Sequence, residues 1–147
     1  MRRIAARAGT LASLPLIVLA SVGCSLLGGN VASLAVGDCF DPPNTVEVED
    51  VKRHPCTDPH GGEVFFVTDY APSEGPLPDE ADFRDFLGDR CPAAFEAYTG
   101  IDWASDTTYD IGTLWPSQDS WNGGDREMTC YVVRVDGAAL THTLRKA

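Results

Sequence analysis

Basic residues are scarce in this chain of 147 residues: eleven Lys and Arg stand against 22 Asp and Glu, for a formal net charge of −11. Three of the eleven, Arg2, Arg3 and Arg7, lie before residue 8, so the chain from Ser25 onward keeps eight basic residues against 22 acidic ones, a net −14. A polyanion of this kind gains nothing from phosphate backbones or anionic headgroups, which excludes nucleic acid as a partner. Several chemical signatures are also missing. There is no GxSxG turn to present a nucleophilic serine, no EF-hand spacing, no common zinc spacing, and no internal repeat or low-complexity tract.

Charge is absent altogether between Arg7 and Asp38, and that gap holds the stretch on which the rest depends. The arginines precede an uncharged run, Leu11 to Ala20, which ends in Ser21-Val22-Gly23-Cys24. A charged start, a short apolar middle and small residues before a cysteine predict an export leader of lipoprotein type, with Cys24 as the lipidated first residue of the mature chain. Ser21 departs from the leucine usual three positions before that cysteine. An uncleaved anchor is the alternative, since Leu11–Leu27 matches the shortest membrane spans, but Pro15, Ser13 and Gly28-Gly29 weaken it. Either tether leaves the arginines in the cytoplasm and carries the body across. Diacylglyceryl and N-acyl chains, at about 0.8 kcal/mol per methylene, would hold Cys24 stably in the membrane.

The expected organisation is therefore a leader over 1–24, a small-residue flexible linker over 25–33 and one domain over 34–147, large enough for a single core. Nine linker residues reach about 30 Å when extended, which confines the body to the outer face of the cell membrane. With Cys24 set aside, Cys39, Cys56, Cys91 and Cys130 remain, an even number suited to an oxidising compartment. Three pairings can be drawn. Sequential pairing, Cys39 with Cys56 and Cys91 with Cys130, closes the shortest loops and is the expectation.

Strands are read at Leu34–Phe40, at Thr45–Val51, where apolar and acidic residues alternate, and at Glu63–Thr68, dense in β-branched and aromatic residues. Phe83, Leu87, Cys91, Phe95 and Tyr98 form one helical stripe within Asp79–Tyr98. Gly88 and Pro92 split it into two short helices or one kinked helix, and Gly100 stops it. Asp102–Asp119 reads as turns around aromatics. Arg126–Val135 reads as a strand, and Asp136-Gly137 predicts a hairpin returning along Ala138–Leu144. The order of elements implies α+β: a small antiparallel sheet with short helices and two disulfides.

The order Val36-Gly-Asp-Cys-Phe40, then Pro55-Cys56 with Pro59-His60 and Glu63-Val-Phe65, then Cys91 with Phe95, Tyr98 and Gly100, then Trp121 with Gly124-Asp-Arg126 and Cys130 resembles the septum-formation domain family of actinobacterial envelope proteins. The resemblance covers about Leu34 to Val135. Gly61-Gly62 stands where that family more often has Asp-Ala. It implies an extracytoplasmic, cysteine-bridged domain linked to cell division, with unknown envelope or division proteins as partners, and it brings no reaction and no catalytic residues.

The densest polar cluster is His54, Cys56, Asp58, His60 and Glu63. With Cys56 oxidised and no zinc spacing, no metal or other cofactor is expected; Pro55 and Pro59 stiffen the loop while His60 and Glu63 bond backbone there and pin the following strand. Asp79, Glu80, Asp82, Asp85 and Asp89 read as a solvated face at a helix start. In Trp121–Arg126, glycines permit positive φ and Asp125 or Arg126 is expected in a bidentate pair locking the turn, with Trp103, Trp115 and Trp121 assigned to the core. The functional expectation is a non-catalytic, membrane-tethered interaction module. The alternative is a cell-wall-directed enzyme or small-ligand binder using His60 and Glu63.

Overall fold

The computed structural model describes residues 28–30, 33–43 and 50–147. The leader with Cys24, most of the linker, and the part of the Thr45–Val51 strand before residue 50 lie outside the described residues.

One antiparallel sheet organises the body. Its strands are β1 (Gly28–Asn30), β2 (Cys39–Asp41), β3 (Asp50–His54), β4 (Gly62–Asp69), β5 (Tyr109–Leu114) and β6 (Glu127–Arg134), in the spatial order β1-β3-β2-β4-β6-β5. Five strands make the sheet proper, and β1 is a three-residue addition at one edge, paired with residues 50–52 of β3. Three short helices, α1 (Glu80–Leu87), α2 (Arg90–Thr99) and α3 (Gln118–Asn122), complete the α+β architecture.

Local chemistry accounts for the helices. Asp79 caps α1: its side chain accepts from the Asp82 amide at 3.0 Å and the Asp82 carboxylate accepts from the Asp79 amide at 3.3 Å, a reciprocal capping box. Glu80 pairs with Arg84 one turn on. The acidic run is thus a helix start and a solvated face. The break falls at Gly88-Asp89, and Pro92 enters α2 at its third residue, where its missing N–H costs no helical bond. Gly100 ends α2 in the left-handed region at φ 78°, as a C-cap glycine does.

Helices cover one face of the sheet. Phe83, Leu87, Cys91, Phe95 and Tyr98 pack with Trp121 onto Phe65, Met128, Cys130 and Val132, and Trp103 and Trp115 lie partly buried at the margin. A register shift between Val64 and Phe66 bulges β4. The extra residue lets Phe65 and Phe66 both join the helix-side core while Val64 and Val67 join the other, built on Leu34, Phe40 and Val51. The disulfides are Cys39–Cys56 and Cys91–Cys130, closing separations of 17 and 39 residues. In the chain-entropy account these loops stabilise by roughly 3 and roughly 4 kcal/mol.

Three local expectations are corrected. Of the strand read at Leu34–Phe40 only the end becomes β2, because residues 35–38 turn, with the Asp38 amide donating to the Ala35 carbonyl at 2.9 Å and Gly37 at φ 99°. Within the turn-rich region, residues 109–114 form β5, paired with β6 from Tyr109↔Arg134 to Leu114↔Thr129. The hairpin after Asp136-Gly137 does not form, because β6 already has β4 on one side and β5 on the other. Residues 138–144 instead cross to the far loop, where Leu140 and His60 exchange backbone hydrogen bonds of 2.8 and 3.0 Å.

Candidate functional site

The residues of greatest chemical interest meet beneath that crossing tail. Pairing of β2 with β4 sets Cys39 opposite Glu63, and the His60–Leu140 bridge turns the imidazole inward. One ligand-type atom from each of Cys39, His60 and Glu63 lies within 4.8 Å of the other two. All three residues are sealed, at 2%, 1% and 0% exposure.

Glu63 is the hub. Its Oε1 accepts from the Tyr98 hydroxyl and from the Thr143 hydroxyl, and its Oε2 accepts from the Leu144 amide at 2.8 Å. The carboxylate therefore joins β4 to α2 and to the C-terminal tail, across 35, 80 and 81 residues of sequence. Two further contacts hold the tail: Lys146 N–H donates to the Tyr98 carbonyl at 2.9 Å, and the Arg145 guanidinium sits 5.2 Å from the Tyr98 ring centre. Burial, and then the adjoining Glu63 carboxylate, raise the Tyr98 phenol above its ordinary pKa. It stays a proton donor to Glu63.

His60 is held from one side only. Its Nδ1 donates to the Asp58 carbonyl at 2.8 Å, which leaves Nε2 as the free end of the ring. Among the described residues Nε2 has no hydrogen-bond partner, although it is buried. His60 thus pins its own loop as expected. Glu63 pins α2 and the tail instead of that loop, because its side chain lies on the helix-covered face of β4. His54 and Asp58 stay out of the cluster: His54 pairs with Asp41 at 2.8 Å, and Asp58 is exposed and contributes its carbonyl.

The second predicted motif is built differently from expectation. Asp125 and Arg126 form no bidentate pair; the Asp125 carboxylate accepts from the Glu127 amide at 2.9 Å, opening β6. Arg126 lies flat on Trp121, its guanidinium carbon 3.5 Å from the ring centre. From there it donates to the carbonyls of Ser73 at 2.7 Å and Trp121 at 2.8 Å. Trp121 Nε1 donates to the Gly75 carbonyl at 3.0 Å. Together they fasten the proline-rich loop between β4 and α1. A planar cation beside an aromatic face favours this stack, and the neighbouring Asp125 carboxylate is already engaged by the Glu127 amide.

Sequence reasoning missed three members of the cluster: Cys39, Tyr98 and Thr143. Cys39 could have been found from its disulfide partner, which ties it to the His60 loop. Tyr98 was placed on the helix stripe and in the family pattern, but nothing local marks its hydroxyl, or Thr143, as a partner of Glu63. A separate groove of about 280 Å³, open to solvent, runs between the helices and β5, lined among others by Arg84, Leu87, Cys91, Trp103 and Asp110.

Comparison with protein families adds one identification: a family model described as septum formation matches residues 36–146, through the tail that Glu63 holds. The match covers most of the chain, and the chain belongs to that family. No curated protein and no solved structure matches it.

Proposed function

We propose that this member of the septum-formation family is a non-catalytic interaction module, held at the outer face of the cell membrane and acting on envelope or division proteins. The observation that carries the reading is the sealing of its most reactive-looking residues. A general acid or base must reach its substrate, and His60 and Glu63, at 1% and 0% exposure, lie under the C-terminal tail with the Glu63 carboxylate already accepting from three donors. Those groups serve the fold. That weighs against the enzyme or ligand-binder reading, which needed them in an open pocket.

What remains for function is the outer surface, which is strongly acidic. Two disulfides suit a body that works outside the cytoplasm. The leader supplies the tether in this account, through lipidated Cys24 or through an uncleaved N-terminal helix. Among the described residues no helix is long and apolar enough to cross a membrane. The net charge sets the body against nucleic acid and anionic lipid.

Proximity labelling from the body of the full-length chain in living cells tests the proposal. Division and septal envelope proteins are expected among the labelled set. A set without them removes the septal part of the reading, and recovery of a cleaved low-molecular-weight wall product in vitro removes the non-catalytic part.

A further inference from the structure

The sealed cluster has the make-up of a metal centre whose sulfur ligands are locked in a disulfide. Cys39, His60 and Glu63 present S, N and O donors within 4.8 Å of one another. The features that orient metal ligands are also in place. A ligating histidine ordinarily donates its other ring N–H to a carbonyl or carboxylate, and a ligating carboxylate is itself hydrogen-bonded. His60 Nδ1 donates to the Asp58 carbonyl at 2.8 Å, and Glu63 accepts from Tyr98, Thr143 and Leu144. The remaining His60 nitrogen is buried without a hydrogen-bond partner. Leaving such an atom bare is unfavourable, so a ligand there is favoured.

In the oxidised protein Cys39 is no ligand, because its sulfur is bonded to Cys56. We propose that reduction of the Cys39–Cys56 bridge opens a four-ligand site for a zinc-class divalent cation, formed by Cys39, Cys56, His60 and Glu63. The step balances with an external dithiol as reductant: the dithiol is oxidised to a cyclic disulfide, two electrons pass to the Cys39–Cys56 bond, and two thiols form. Metal binding then displaces both thiol protons to solvent, since thiolate is the ligating form. Two thiolates, an imidazole and a carboxylate suit tetrahedral zinc by donor type. The Cα atoms of Cys39 and Cys56 are 5.3 Å apart, so the two thiolates stay near each other after reduction, and Cys56 joins the group of Cys39, His60 and Glu63 by turning its side chain.

Selectivity between the bridges is built in. Cys56 is partly exposed, whereas Cys91 and Cys130 are buried at 3% and 0% in the helix-side core. Exchange requires a dithiol to reach a sulfur, so Cys39–Cys56 yields first. Beneath the tail the outcome is a redox-gated site: an inert crosslink when oxidised, a metal-held crosslink when reduced.

The test uses the full-length chain in detergent, oxidised or treated with a mild dithiol, with zinc ion alone as probe. Metal content is read after gel filtration. About one zinc per chain is expected in the reduced form and none in the oxidised form, and His60→Gln weakens binding by at least about tenfold. A measurement on the unaltered chain guards against a variant that fails to fold: zinc is expected to protect Cys39 and Cys56 from alkylation and to leave the state of Cys91 and Cys130 unchanged. No uptake after reduction, equal uptake by the oxidised chain, affinity unchanged in folded His60→Gln, protection spread over all four cysteines, or unfolding on reduction that zinc does not reverse would each overturn the proposal.

Discussion

Replacing Glu63 with leucine removes the one acceptor that joins β4, α2 and the tail. Three donors then lose their partner. Thr143 is exposed and its hydroxyl returns to water at little cost. The Tyr98 hydroxyl and the Leu144 amide are held in or near the core, and each orphaned donor to a charged acceptor is worth about 1.5–3 kcal/mol. Their sum, about 3–6 kcal/mol, is offset in part because leucine needs no desolvated charge. A net loss of about 2–4 kcal/mol follows, against the roughly 5–15 kcal/mol typical of a domain. Glu63→Gln keeps one oxygen but turns an amide toward one of the donors, and is expected to cost about half as much. Urea unfolding followed by tryptophan fluorescence reads the global effect, since Trp121, Trp103 and Trp115 all pack on the core. Trypsin reads the local one, because Arg145 and Lys146 lie in the released tail and cleavage there should accelerate before the core opens. A Glu63→Leu protein within about 0.5 kcal/mol of wild type, the scatter of neutral surface changes, or one whose tail is cut no faster, would refute the reasoning.

Gly112 faces Tyr131 across β5–β6, and a Cβ there would lie 2.2 Å from the tyrosine ring; Gly112→Ala should cost about 2 kcal/mol by expelling a ring that also packs edge-on against Phe40. In urea titrations the double variant with Tyr131→Ala should recover part of that loss, and full additivity would count against the contact. Burial, then the Asp125 and Asp69 charges, hold the Glu127 carboxyl above its usual pKa, so its ionised form disfavours the folded state. Glu127→Gln should therefore stabilise at neutral pH, and the gain should shrink as pH falls through the raised folded pKa and vanish below the unfolded one; a gain that persists in acid contradicts the assignment. Arg126→Ala should free the loop at Ser73–Gly75 and lower stability by about 2 kcal/mol, with loss of both stacking and carbonyl bonds. Arg126→Lys should rescue little, because an ammonium cannot lie flat on Trp121; full rescue in thermal melts would show that charge alone matters.

What could be read in advance was what neighbours in sequence decide. The helix stripe from Phe83 to Tyr98, its break at Gly88 and its stop at Gly100 rest on spacing, a capping aspartate and a left-handed glycine, all local. The pairing of the four cysteines was legible too, since the sequential loops join segments that lie side by side, β2 with the turn after β3 and α2 with β6. β5 was hidden because Asp110 and Gly112 read as turn formers, while Gly112 is small for the sake of Tyr131 on another strand. The hairpin failed for the same kind of reason: Asp136-Gly137 makes its turn, with Asp136 bound to Arg134 and to the Ala138 amide, but whether a strand can follow depends on whether β6 has a free edge. The Glu63 cluster joins residues 35 to 81 positions apart, and no pattern in the chain announces it. Arg126 was expected to lock its own turn through a bidentate pair and instead reaches the Ser73 carbonyl, 53 residues away in the proline-rich loop.

On the proposed reading, an acidic, disulfide-held body works by its surface, outside the membrane and at the division site. Imaging the full-length chain in dividing cells, with a tag that reports only from outside the cytoplasmic membrane, tests it most directly. Signal enriched at the forming septum is expected, and reduced there when Cys24→Ser removes the lipid anchor. Signal spread evenly around the envelope, or confined to the cytosol, would contradict it.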